Sequence, residues 1–262
     1  MKHLLGIYTI WYRDILRFWH DKARMASTII FPILFLFVFG NGLGKSLGLL
    51  GGGYNFSQFM FPGIVGMSVF MGSFMSGVSI VWDREFGFLR EVLVAPISRV
   101  TVALGKALGS ATVATLQGLI ILILAPLIGV SLTGWKLLAL LPLMFLLAIS
   151  IGSLGILLAS RIKSMEAFQA VMQMLMFPMI FLSGVFFPLR GLPTWMNILV
   201  KINPATYGIA PIRQVMLGTS PDSPFAISLL GHTMSIWDNI GVLAVFGAIM
   251  IILAMLSFGS QE

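Results

Sequence analysis

The sequence predicts an all-α integral membrane protein with six transmembrane helices, and three observations carry that prediction. Of the 262 residues, 58% are hydrophobic and only 10% charged, with a mean hydropathy of +1.00. A soluble domain of this size carries about 25% charged residues to cover its surface. Charge-free runs fall in six places: Met25–Gly44, Ser46–Trp82, Ala107–Trp135, Leu137–Ser160, Ala167–Leu189 and Asn239–Gln261. Each is long enough for a helix to cross a hydrocarbon core of ~30 Å. They are too long and too uniformly apolar for barrel strands, and lipid admits only helices or closed barrels. Lastly, Lys and Arg gather at alternate ends of these runs, the pattern that sets membrane topology.

The segment before the first run, residues 1–23, mixes Tyr8, Trp11, Tyr12, Phe18 and Trp19 with Arg13, Asp14 and Arg17. It has no continuous apolar core and does not read as a cleavable signal. It reads as an amphipathic helix in the cytoplasmic interface, either an anchor for the first span or a surface that also meets a cytoplasmic partner. Within the second run, Gly48, Gly51, Gly52, Gly53 and Asn55 mark a loop, so the second helix starts near Ser57 or Gln58. The third is expected to begin near Thr101, with Lys106 reaching back to the headgroups.

Orientation follows from the basic residues. The N-terminus and the loops after the second and fourth spans hold ten (Lys2, Arg13, Arg17, Lys22, Arg24, Arg84, Arg90, Arg99, Arg161, Lys163), eleven with Lys106. The opposite side holds five: Lys45, Lys136, Arg190, Lys201 and Arg213. The positive-inside rule then puts both termini in the cytoplasm, which suits an even number of spans. The net charge of +7 is therefore topological rather than a nucleic-acid surface.

Two connections carry more than topology. In Asp83–Arg99, Asp83 can cap a short helix with Glu85 near its positive end, and Pro96 stops it. Phe86, Phe88, Leu89, Val92 and Leu93 give that helix an apolar surface, suited to a groove on a cytoplasmic protein or to the membrane surface. In the outer segment Phe187–Asp238, two apolar stretches, Trp195–Ile202 and Thr206–Leu217, flank the turn signal Asn203-Pro204. Each is too short to cross and suits an interfacial or re-entrant helix.

Signatures of chemistry are sparse. Gly40-Asn41-Gly42-Leu43-Gly44-Lys45-Ser46 resembles a phosphate loop, but its first glycine would have to stand at Phe39. His3, His20 and His232 have no helix-spaced companions, so neither a metal site nor a Ser–His–Asp triad is expected, and no catalytic residue is assigned. With no cysteine, thiol chemistry is excluded. No carboxylate lies at mid-span depth, which argues against a proton-coupled carrier. Uncharged or end-lying polar groups remain: Gln117 inside the third span, and Glu166, Gln169 and Gln173 on one face of the fifth. They serve either as interhelical hydrogen-bond partners or as candidate lining of a translocation path. The methionines from Met165 to Met179 read as adaptable packing that would also suit a bulky amphipathic substrate.

The stretch DREFGFLREVLVAPISRVTVALGKALG (Asp83–Gly109) resembles the permeases of ABC-2 type exporters, most closely the daunorubicin-type drug-exporter and nodulation-export permeases. FLSGVFFPLRGLPTWMNILVKINPATYGIAPIRQVMLG (Phe181–Gly218) is similar to that family's other signature region, in the expected order. The resemblance implies six spans, cytoplasmic termini, an interfacial N-terminal helix, and a coupling helix within Asp83–Ala95, inside the 83–99 loop. The residues it points to there are Asp83, Arg84, Glu85, Phe86, Phe88, Leu89, Arg90 and Glu91. It also implies a re-entrant outer pair within residues 188–218, with Pro188, Trp195, Asn203, Pro204 and Tyr207.

By the same resemblance, two permease copies, as a homodimer or with a related permease, would work with two separate ATP-binding subunits. ATP and Mg would sit in those partners and no cofactor in this chain. The cargo would be a hydrophobic drug or a lipid-like or glycolipid molecule, moved across the plasma (inner) membrane. The two copies would face each other through the first, second and fifth helices. The alternative is an ATP-independent secondary carrier, which should show internal repeats and buried ionisable groups. A membrane-embedded enzyme would need a clustered acid, base or metal constellation.

Overall fold

The computed structural model describes residues 2–47, 55–85, 99–162, 164–189, 191–219, 227–229 and 232–259. Ten α-helices make up almost all of it. They are α1 (Lys2–His20), α2 (Lys22–Leu47), α3 (Phe56–Phe74), α4 (Ser76–Glu85), α5 (Arg99–Leu122), α6 (Gly134–Arg161), α7 (Met165–Phe181), α8 (Thr194–Ile202), α9 (Pro204–Leu217) and α10 (Ile236–Gly259). A 3-10 turn (Ala125–Ile128) follows α5, and a two-residue antiparallel pairing, β1 (Ser228–Leu229) with β2 (His232–Thr233), precedes α10.

Four segments are long and apolar enough to cross a membrane: Phe56–Trp82, Val100–Leu122, Gly134–Arg161 and Ile236–Ser257. A fifth is reached if α1 and α2, bent by 64° at Asp21, count as one. α7 is apolar but has 17 residues, short of the length a full crossing needs. An apolar helix thus stands at each of the six expected places, while length and composition qualify four or five of them.

α3 opens at Phe56, beside the expected start near Ser57 or Gln58, and the Asn55 N–H donates to Gln58 Oε1 at 3.1 Å. Boundaries differ from expectation in two places. The Phe56–Trp82 segment is interrupted at Met75. The third apolar run is not one helix: α5 starts at Arg99 and stops at Leu122, and Gly129 (φ 76°) closes the 3-10 turn in the left-handed region.

α6 is the centre of the bundle, packed against α3, α5, α9 and α10. Leu140, Met144, Leu147, Ala148 and Ile151 point inward and are fully buried. Its small residues let neighbours come close: a Cβ on Gly155 would lie 2.7 Å from the Phe74 carbonyl oxygen. Serines serve the same packing, since Ser150 Oγ donates to the Leu243 carbonyl at 3.2 Å. Small residues and hydroxyls are what hold helices together where lipid offers no hydrophobic drive.

α1 runs in the same direction as the first half of α5 and packs along it. His3 Nδ1 lies 3.1 Å from Thr101 Oγ1, Ile10 covers Gly105, and Trp11 Nε1 donates to Thr112 Oγ1 at 3.0 Å. The opposite face exposes Leu4, Tyr8, Tyr12, Leu16 and Trp19 as one helical stripe, with Tyr8 and Tyr12 stacked.

Candidate functional site

The elbow after α7 is built from side chains that take up helix-end carbonyls. A helix leaves its last four carbonyls without partners, and in an apolar setting each must be satisfied. Asn203, between α8 and α9, donates from Nδ2 to the Met179 carbonyl at 2.6 Å while its Oδ1 accepts from the Ala205 N–H at 3.1 Å. Thr206 Oγ1 lies 3.0 Å from the Val200 carbonyl and 3.3 Å from that of Leu182. Tyr207 Oη donates to the Lys201 carbonyl at 2.6 Å. One turn of α9 thereby closes the ends of both α7 and α8.

Arg213 extends this pattern. It is fully buried, donates from Nη2 to the Gly184 carbonyl at 2.7 Å, and sits 4.5 Å above the Phe59 ring of α3. Its Nε and Nη1 have no hydrogen-bond partner. Gly63 of α3 makes the room, since a Cβ there would lie 3.2 Å from Nη2. At the far end of α9, Lys136 Nζ donates to the Met216 carbonyl at 3.0 Å, a cation at a helix C-terminus.

Of the sequence-derived outer residues, Asn203 and Tyr207 are buried in this elbow, Pro188 and Pro204 are half-buried beside it, and Trp195 is exposed on α8. In the sequence Arg213 reads only as a topological charge. The signal that could have found it is an arginine set in the apolar helix IAPIRQVML, since an ionisable group inside a membrane segment is functional by default.

A second cluster lies at the other end of the bundle. Lys106 of α5 is 3% exposed, its Nζ 3.5 Å from Asp14 Oδ1 of α1 and 3.0 Å from Ser79 Oγ of α4. The expected reach of Lys106 to the headgroups is therefore corrected. α1 covers that side of α5, and Asp14 offers a nearer carboxylate than solvent. Asp14 also lies 3.7 Å from Arg13.

The four candidate path-lining residues are not brought together. Gln117 is buried between α2 and α3, its Nε2 3.4 Å from Thr28 Oγ1 and its Oε1 against Gly72. Glu166, Gln169 and Gln173 share one exposed face of α7 with Met174 and Phe177. Of the coupling residues, Asp83, Arg84 and Glu85 form the last turn of α4, and Glu85 is exposed. Phe86, Phe88, Leu89, Arg90 and Glu91 lie outside the described residues. Among the described residues, no three His, Asp or Glu side chains gather as a metal site.

Long apolar helices, small-residue packing and helix ends closed by buried polar side chains define an α-helical membrane protein. The ABC-2 type transporter family model matches residues 6–217, and the chain belongs to that family. Two of the relatives described here are transport permeases by name, and the third is named for nodulation. The transport permease ycf38 of Cyanophora paradoxa is 34% identical over 192 residues, 72% of this chain and 66% of that protein. Nodulation protein J of Rhizobium leguminosarum is 28% identical over 220 residues, 82% of each. The inner membrane transport permease YadH of Escherichia coli is 27% identical over 227 residues, 83% of this chain and 86% of that one. The chain spans about two thirds of the length of the Cyanophora protein. Permeases of this family are membrane transport components, and the family implies an ATP-binding partner.

Proposed function

We propose that this chain is the membrane-spanning subunit of an ATP-driven exporter that moves a hydrophobic drug or a lipid-like or glycolipid substrate out of the cytoplasm or inner leaflet. The observation that carries the reading is the family match over residues 6–217, joined to likeness with a protein named for nodulation. In this reading the six apolar helices are six spans, α7 included, with both termini in the cytoplasm of a cell bounded by that plasma (inner) membrane. α1 lies in the cytoplasmic interface, with its Tyr8–Tyr12–Trp19 stripe toward lipid.

ATP and Mg bind to two partner subunits, and residues 83–99 are the contact through which those subunits act. The helices on either side support that assignment, since α4 before the segment and α5 after it both pack on α6. A push on the joining segment would reach two apolar helices at once and shift a two-state equilibrium. The pair α8–α9, within 188–218, is the re-entrant element, its backbone satisfied by Asn203, Thr206 and Tyr207. Two copies meet through α2 and α7, whose exposed Phe31, Leu34, Phe37, Met174 and Phe177 have no cover in one chain. α3, of the second span, is packed inside and contributes less.

The test is affinity purification of the full chain in mild detergent, with mass spectrometry and an ATPase assay. A stoichiometric ATP-binding subunit, lost when residues 83–95 are altered, supports the reading. A chain that purifies alone and transports in vesicles without ATP overturns it and favours an ATP-independent secondary carrier.

A further inference from the structure

The side of α9 that meets the end of α7 is a row of donors. Asn203, Thr206 and Arg213 fall on one stripe and face the carbonyls of Met179, Leu182 and Gly184 in turn. The last rung is incomplete. Arg213 is 1% exposed and donates from Nη2 to Gly184, but its Nε and Nη1 reach no acceptor. On either side of Gly184, the carbonyls of Ser183 and Val185 accept no hydrogen bond among the described residues, and both residues are buried. Two spare donors thus stand beside two spare acceptors. The groups are neighbours across Gly63 of α3, where a Cβ would lie 3.0 Å from Val185 Cα and 3.2 Å from Arg213 Nη2.

Unmet buried groups cost free energy, and a buried guanidinium costs more than a neutral donor. A leucine would fill the same space without that cost. One carbonyl and the face of Phe59, 4.5 Å from Arg213 Cζ, hold the guanidinium where it is. The backbone beside it has a second conformation open to it. Gly184 has φ 78°, and a glycine adopts negative φ about as readily. Turning there re-aims the neighbouring carbonyls, and the guanidinium offers five N–H donors in a fixed fork to receive them.

We infer that Arg213 is a positioning residue that gives the outer elbow two arrangements. In the one described, the guanidinium rests on Phe59 and holds the Gly184 carbonyl. In the other it leaves the ring and gathers the carbonyls of Ser183 and Val185 as well. The unmet groups raise the free energy of the first arrangement, so Arg213 lowers the cost of leaving it. α9 packs on α3 at this point, so the exchange changes how the α8–α9 pair sits against the bundle. Its use, opening the outer mouth to release cargo, rests on the exporter reading. The two arrangements themselves do not.

The chain has no cysteine, so a single introduced thiol reports alone. Val185→Cys, at a side chain fully buried in this arrangement, is reacted with a small charged methanethiosulfonate reagent in the full chain in mild detergent. The rate follows how often the elbow opens. Adding Arg213→Leu should slow the reaction about tenfold, the equivalent of one hydrogen bond to a charged donor. Arg213→Lys should slow it too, since an ammonium lacks the fork that spans both carbonyls. Phe59→Leu should speed it, and only while Arg213 is present. An arginine that merely fills space gives the reverse sign, because cutting it to leucine loosens the elbow. A rate unchanged or raised by Arg213→Leu therefore overturns the inference. Trp195→Cys, exposed on α8, should react equally in every background, and a parallel change there would overturn it as well. The reaction is read without ATP or a partner, so its failure leaves the exporter reading standing. That reading falls if no ATP-binding subunit accompanies the chain.

Discussion

Lys106 and Asp14 face each other at 3.5 Å across the packing of α5 on α1, and Lys106 adds a hydrogen bond of 3.0 Å to Ser79 of α4. Three helices are joined at one nearly buried ammonium group. Removing one member of a buried pair leaves the other charge without compensation, at a cost of about 3 kcal/mol. Asp14 keeps Arg13 as a weaker neighbour, so Lys106→Met should cost less than that, about 2 kcal/mol. Asp14→Asn together with Lys106→Met should recover part of the loss, because no charge then stays unpaired. Thermal unfolding of Asp14→Asn, Lys106→Met and the double variant in detergent reads this directly. Strictly additive losses would show that the pair is not coupled.

Arg213 poses the opposite problem. A fully buried guanidinium with one carbonyl, one aromatic face and two unpartnered nitrogens is a poor source of stability. Arg213→Leu should therefore leave the unfolding midpoint within about 1 kcal/mol of the parent. Export should nevertheless fall, because the residue ties the Gly184 elbow to Phe59 of α3. Arg213→Lys keeps the charge but loses the planar stacking and should not restore export. Full export activity in Arg213→Leu at equal protein level would make Arg213 a packing residue and nothing more.

These two residues also mark where sequence reading stops. The helical membrane class was legible because charge-free length and uniform apolarity are local properties, and the turn at Asn203-Pro204 was legible for the same reason. The Lys106–Asp14 and Arg213–Gly184 relationships join residues 92 and 29 positions apart, and no periodicity encodes which helix a charge will meet. Gln117, Glu166, Gln169 and Gln173 shared a polar character but not a location, since facing along one helix says nothing of what lies opposite. The break of α3 from α4 at Met75 was hidden because the sequence carries no charge or proline close to it on either side.

The elbow after α7 should be sensitive at Asn203 and Gly184. Asn203→Ala removes a cap on α9 and leaves the Met179 carbonyl unpartnered, together about 2 kcal/mol. Gly184 has φ 78°, and a Cβ there would lie 2.7 Å from Leu189 Cδ2. Gly184→Ala should cost about 1–2 kcal/mol from backbone conformation alone. Protease protection of the outer segment in oriented vesicles would report both. Unchanged protection and an unchanged unfolding midpoint would remove this elbow from the account of how the outer helices are held.

The role proposed for the segment between α4 and α5 is energy transfer rather than stability. If an ATP-binding partner seats residues 83–95, we propose that Phe88 supplies buried area and that Glu91 supplies a charge at the rim of the contact. Truncating an aromatic anchor at an interface costs 2 kcal/mol or more where it fills a pocket, about thirtyfold in affinity. Phe88→Ala should then weaken co-purification of the partner by about that factor. Glu91→Gln should leave binding nearly intact and lower export per ATP hydrolysed, because a rim charge contributes orientation more than affinity. Insertion and the unfolding midpoint should stay at parental values in both, which separates uncoupling from misfolding. The control is Leu127→Ala in the 3-10 turn after α5, at a side chain 82% exposed, which should change neither quantity. Normal export from Phe88→Ala and Glu91→Gln at equal protein levels would place the coupling contact elsewhere on the cytoplasmic face.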